Sequence, residues 1–162
     1  MEKRITAIHE AGHAVAHVRL GIFQDCVTIT PLDPDLAGAV TAEDGVWNPA
    51  DAENQVLALY AGYAATVVAG IPELIAMRGC DDDFGKAEAL IAKWGIGSTE
   101  DLRHRAVLLM SQPENIKAVQ LVARELLARQ SLSSDLIFCL VDMADGEATA
   151  QDYQQLKAWI TG

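Results

Sequence analysis

At 162 residues, 51% of them hydrophobic, the chain is long enough for one domain with a substantial core and short for two. Its 12 Lys and Arg against 23 Asp and Glu leave a formal net charge of -11, which repels phosphate backbones and anionic lipid surfaces and argues against nucleic acid as a partner. No apolar run reaches the ~18 to 20 residues of a membrane span and the first residues lack a signal peptide's apolar region. Cys26, Cys80 and Cys139 are odd in number and far apart, so the expectation is a cytoplasmic protein with reduced thiols and no membrane contact.

The first predicted element is a helix from about Glu2 to Leu20, stopped by Gly21. Ile5, Ile8, Gly12, Val15 and Ala16 recur at helical spacing and form a face to bury. Within it His9-Glu10-Ala11-Gly12-His13 is an H-E-x-x-H motif. Residues four apart lie one turn apart on the same face, so both imidazoles can reach a single Zn²⁺, while Glu10 is rotated toward water on that metal as a general base. Catalytic zinc takes three protein ligands, so the motif requires a third from elsewhere.

Next, Cys26-Val27-Thr28-Ile29-Thr30 is β-branched and ends at Pro31, which suits a short strand. Gly38-Ala39-Val40-Thr41-Ala42 offers a second strand with which it can form a β-ribbon. Asn48 as N-cap, Pro49 at the first helical position and Asp51 at the third start a helix running to about Ala69. Its Ala58, Ala61, Gly62, Ala65 and Ala69 make a surface that another backbone can approach closely. Gly70 and Pro72 end it. After Gly79, Asp81-Asp82-Asp83 precede a helix of about Phe84 to Trp94. Ser98 caps another, about Thr99 to Met110, and Pro113 opens one running to about Gln130. Ser133 and Thr149 read as N-caps of two terminal helices with Gly146 in the turn between them.

Carboxylates at a helix start commonly cap N-H groups and complement the dipole, which is one account of the three aspartates. The other is that a carboxylate from this second helix completes the zinc site.

A family resemblance bears on that choice. His9-Glu10-Ala11-Gly12-His13-Ala14-Val15, then Val27-Thr28-Ile29-Thr30-Pro31, the Ala61-Gly62-Tyr63-Ala64-Ala65 helix, and Gly79-Cys80-Asp81-Asp82-Asp83-Phe84-Gly85-Lys86-Ala87, in that order, resemble the peptidase domain of the FtsH family of membrane-bound, ATP-dependent zinc proteases. The likeness runs from about residue 5 to Gly95 and more loosely to about Leu136. It implies Asp83 as the third zinc ligand, with Asp81 and Asp82 as capping or supporting groups. It also implies a mainly α fold, an array of about six helices with a small two-stranded β-ribbon. Gly38, Ala39, Val40 and Thr41 would be the strand that edges the active-site cleft and pairs with an extended peptide. The chain departs from the family at Tyr63, Thr66 and Val67, where an arginine and two acids are typical. With its motif at residue 9, it is expected to leave no room for an N-terminal pro-segment, an ATPase module or a membrane anchor.

Other candidates are weaker. His17 lies about 12 Å along the helix from His9, too far to share a metal whose bonds are about 2 Å, and is expected to line the cleft on the Glu10 side. Cys80 lacks a cysteine partner, His104 sits in a charged surface segment, and Tyr60 and Tyr63 are expected to pack. The expected function across residues 1–162 is that of a zinc metallopeptidase cutting peptide bonds in short or unfolded polypeptides, unless a separate ATPase or a homo-oligomer delivers other substrates. Two rival readings are a non-catalytic metal-binding adaptor for unfolded segments and a plain interaction module without metal.

Overall fold

The structure, a computed structural model, describes residues 2–30 and 45–162. Local signals start and stop most of its helices. α1 (Glu2–Leu20) ends at Gly21, whose φ of +67° only glycine adopts readily. α2 (Pro49–Val68) starts where the Asn48 side chain accepts a hydrogen bond from the Asp51 N-H at 3.0 Å. α5 (Thr99–Met110) is capped by Ser98, and α6 (Pro113–Arg129) opens on its proline. In α8 (Ala150–Thr161), Thr149 and Asp152 bond reciprocally in a capping box. The expected helices all form, and their ends fall within a few residues of the expected ones.

Three elements depart in detail from expectation. α4 (Asp81–Trp94) starts three residues before Phe84, so all three aspartates lie in its first turn, where carboxylates face free N-H groups. A single turn, α3 (Glu73–Ala76), follows Pro72; it is too short to leave a periodic signature in sequence. α7 (Ser134–Asp145) begins after Ser133, which makes no capping bond with its side chain.

The molecule is mainly helical, with one two-stranded antiparallel sheet among the described residues. The sheet draws its second strand from the segment after α6. β1 (Cys26–Thr28) pairs with β2 (Ser131–Ser133), in the register Cys26↔Ser133, Val27↔Leu132 and Thr28↔Ser131. Gly38–Ala42, the strand expected to pair with it, lies outside the described residues. Ser131-Leu132-Ser133 is too short and polar to read as a strand. It becomes one because Gln130, in the left-handed region at φ +69°, turns the chain out of α6, and because Leu132 is buried against the helices.

α1 and α2 form the central pair, and α6 and α7 cover the other side of α1. Gly12 is the reason the central pair can be so close: a Cβ there would stand 2.4 Å from the Ala61 carbonyl oxygen and 2.6 Å from the Ala65 Cβ. The core continues through Tyr60, Leu90, Leu102, Leu126 and Ile137. At the far end of α1, Arg19 clamps three helices. Its guanidinium donates to both Asp145 oxygens at 2.6 Å and its Nε donates to Asn115 Oδ1 at 2.6 Å, while buried Asn115 donates to the Leu109 carbonyl. No helix among the described residues is long and apolar enough to cross a membrane.

Candidate metal centre

The α1–α2 contact that excludes a side chain at Gly12 also sets the neighbouring histidines. His9 and His13 pack edge to face, with ring centroids 4.7 Å apart and planes at 80°. His13 Nδ1 is 2.8 Å from the Ala58 carbonyl oxygen of α2. A carbonyl only accepts, so Nδ1 carries the proton, and in the neutral ring Nε2 is left with its lone pair. That Nε2 lies 3.0 Å from His9 Nε2. Space for both rings comes from α2: a Cβ on Gly62 would be 2.5 Å from His13 Nε2 and 2.7 Å from His9 Nε2.

Asp83 arrives from the first turn of α4. Its Oδ2 is 3.2 Å from His9 Nε2 and 3.3 Å from His13 Nε2. The next residue, Phe84, anchors that turn by packing edge to face on Tyr60 and Tyr63, with the Arg103 guanidinium 4.6 Å over its ring. The preceding Cys80 is buried, its thiol donating to the Ala76 carbonyl. Of the three aspartates only Asp83 meets the histidines; Asp81 is exposed, and Asp82 is exposed and pairs with Lys86 at 2.6 Å.

Three lone-pair atoms thus converge at edges of 3.0 to 3.3 Å. Ligands bonded at about 2.0 to 2.1 Å around a tetrahedral zinc are separated by roughly 3.3 Å, so the residues present fit such an ion as three of its four ligands. The site's electrostatics favour a cation. Burial alone would push the Asp83 carboxyl up, but the His13 and His9 imidazoles against it outweigh burial and hold it well below the usual carboxylate range. His13 is raised above the ordinary imidazole value: burial opposes the change, and contact with Asp83, the Glu10 charge and the Ala58 carbonyl overcome it.

Glu10 is half-buried and does not join the three-atom cluster; it lines a cleft of about 490 Å³ together with His13 and Asp83. The cleft continues past His17, Gln24 and the β1 residues Cys26, Val27 and Thr28. His17 lies outside the cluster and in this cleft, as its distance along the helix requires. Burial, helped by the charge of His13 and opposed by the Gln24 side chain, pushes it down to about 4. Cys80 also lies outside the cluster, its thiol pushed up to about 11 chiefly by burial. His104 is exposed, and Tyr60 and Tyr63 pack around Phe84. Gly38, Ala39, Val40 and Thr41, the expected substrate edge, lie outside the described residues.

Three contributors escape a reading by motif: the Ala58 carbonyl that orients His13, Gly62 that makes room for both rings, and Gln24 in the cleft wall. The small residues at 58 and 62 are visible in sequence, but as a packing stripe they do not disclose that what packs there is imidazole. No family model and no curated protein matches the chain.

Proposed function

We propose that the protein is a zinc-dependent metallopeptidase, an FtsH-like peptidase domain that hydrolyses peptide bonds in short or unfolded polypeptides. One observation carries the reading. His9, His13 and Asp83 present three lone-pair atoms at tetrahedral spacing, and Glu10 of the H-E-x-x-H motif opens on the same cleft. His9, His13 and Asp83 would hold the metal. Bound zinc supplies Lewis acidity, which polarises a carbonyl and makes water a nucleophile at neutral pH. Glu10 takes the proton from the attacking water and returns it to the leaving amine. Ala58 and Gly62 keep the two imidazoles in the orientation the metal needs, through the Nδ1-H bond and through the missing side chain.

The substrate class follows from access. An open cleft takes an extended main chain, which a folded protein does not present, so delivery of folded substrates falls to a separate ATPase or to an assembly of several copies. A net charge of -11 favours neutral or basic peptides over acidic ones and disfavours nucleic acid. Three free cysteines support a reducing, cytoplasmic setting.

Metal analysis of the purified protein, followed by digestion of an unstructured peptide library with and without chelator, tests the reading. One zinc per chain is expected, with cleavage abolished by chelation and restored by zinc. His9→Ala or His13→Ala should remove the metal, and Asp83→Ala should weaken it far more than Asp81→Ala or Asp82→Ala. Zinc-loaded wild type that cuts no peptide would instead favour a metal-binding adaptor for unfolded segments.

A further inference from the structure

A second cavity, of about 480 Å³, opens where α2, α3 and α5 meet, and it shares no lining residue with the metal cleft. Arg103 of α5 lines it. The guanidinium carbon of this half-buried side chain stands 4.6 Å over the Phe84 ring and 5.6 and 5.8 Å over the Tyr60 and Tyr63 rings. Among the described residues Arg103 forms no ion pair, whereas Arg105, two positions on, holds Glu53 at 2.6 Å. Its Nε is enclosed by protein, so its terminal nitrogens are what the cavity can reach. Burial raises the Tyr60 phenol, and Thr99 and Arg103 against that hydroxyl oppose the rise.

Glu73 and Glu100 line the same cavity. Opposite charges three residues apart on a helix commonly close on each other, yet Glu100 and Arg103 do not. The reason is that both signs of charge are pinned by internal contacts: three rings hold the guanidinium, and the Tyr63 hydroxyl donates to Glu73 at 2.8 Å. An aromatic face attracts a cation but accepts no hydrogen bond of ordinary strength, so the terminal N-H groups still call for an acceptor. A guanidinium edge matches a carboxylate in two parallel bonds. A plain anion there would face two carboxylates in the same cavity, and a plain cation would face Arg103. A molecule carrying both charges meets each with its opposite, and Val107 adds apolar surface beside them.

We propose that this cavity binds a small zwitterion of the α-amino-acid type, its carboxylate on the Arg103 terminal nitrogens and its ammonium on Glu73 and Glu100. The site is separate from the metal cleft and does not depend on hydrolysis. Amide NMR spectra of the full chain are recorded during titration with leucine, leucine amide, N-acetyl-leucine and acetate. Leucine should shift the amides of α5 and of the Glu73 turn. It should bind about 10- to 100-fold tighter than leucine amide, which lacks the carboxylate, and than N-acetyl-leucine, which lacks the ammonium; this is the range for a hydrogen bond to a charged group. Arg103→Met should remove leucine binding. Because Arg103 also packs on Phe84, melting curves report whether that variant still folds. Glu73→Gln with Glu100→Gln, at two exposed positions and with the acceptor for Tyr63 kept, should erase the difference between leucine and N-acetyl-leucine whether or not the first variant folds.

The site is overturned if leucine produces no shift up to about 10 mM, a tenfold excess over a millimolar Kd. Shifts confined to the residues of the metal cleft would overturn it too, since amino acids can also ligate a metal. So would binding that survives Arg103→Met in folded protein, or a preference for leucine over N-acetyl-leucine that survives loss of both acids. Acetate binding as tightly as leucine would show a plain anion site and overturn the zwitterion.

Discussion

Glu10 and His13 sit three residues apart on α1 and answer to different chemistry. His13 has its Nδ1 tied to Ala58 and its Nε2 in the three-atom cluster, whereas Glu10 opens on the cleft beside it. Glu10→Gln should therefore keep zinc and fold while losing on the order of 10² to 10⁴ in kcat, the range of general-base catalysis. Undiminished chelator-sensitive cleavage by this variant would exclude the mechanism. His17 gives a prediction on stability. Its folded value of about 4 lies below the ordinary 6.5, so between those pH values the unfolded chain binds a proton that the native state refuses. Stability therefore falls as pH drops through that window. In urea unfolding, His17→Gln should lose less stability than wild type between about pH 7 and pH 4.5, with a pH slope smaller by up to one proton. Parallel slopes would show that His17 is not held neutral.

At the scale of elements, two glycines line the contact of one helix pair and do different work. Gly12 lets the α1 and α2 backbones meet; Gly62 gives the imidazoles their room. Replacing a helical glycine by alanine gains about 1 kcal/mol of propensity. At Gly12 the new Cβ would press on a backbone carbonyl that cannot swing aside, and overpacking at the upper end of its usual 1 to 3 kcal/mol outweighs the gain. Gly12→Ala should thus lower stability by about 2 kcal/mol in denaturant titration. At Gly62 the obstructed atoms are side-chain tips, so Gly62→Ala should fold but bind zinc about 10- to 100-fold more weakly, the cost seen when ligand support is lost. A Gly62→Ala protein with wild-type zinc affinity would mean that the rings have slack in their pocket. α4 contributes differently: its first turn is held by Phe84 beneath Arg103, and that anchoring brings Asp83 to the histidines.

At the scale of the molecule, the cleft is built by α1, α2, α4 and β1, and the Arg19 clamp lies at the opposite end of α1 from its N-terminus, joining α6 and α7. Arg19→Ala should cost about 2 kcal/mol of stability. Most of that comes from leaving Asn115 Oδ1, in a side chain only 3% exposed, without its donor. The partly exposed pair with Asp145 adds little, since solvent screens it. Zinc content should not change, because the clamp shares no contact with the triad. Loss of metal in a folded Arg19→Ala protein would show that the two ends of α1 are coupled.

Sequence by itself determined the helices and the motif, because the interactions that make them span three or four residues. Asn48 with Asp51, Ser98 with Asp101 and Thr149 with Asp152 are complete within one turn, and His9 and His13 share a face by helical geometry alone. Tertiary structure decided what depends on contacts across the chain. Asp83 meets His9 from 74 residues away, and the preceding two aspartates, equally good as caps, point elsewhere. Periodicity could not choose among three consecutive carboxylates; the family resemblance pointed to Asp83, and the packing of Phe84 sets the angle of α4 that brings it in. β1 found its partner in Ser131–Ser133, a stretch whose strand character comes from the buried Leu132 and the left-handed turn at Gln130. The cleft wall at Gln24 and His17 exists only because a loop after α1 folds back onto it, a contact that no local pattern encodes.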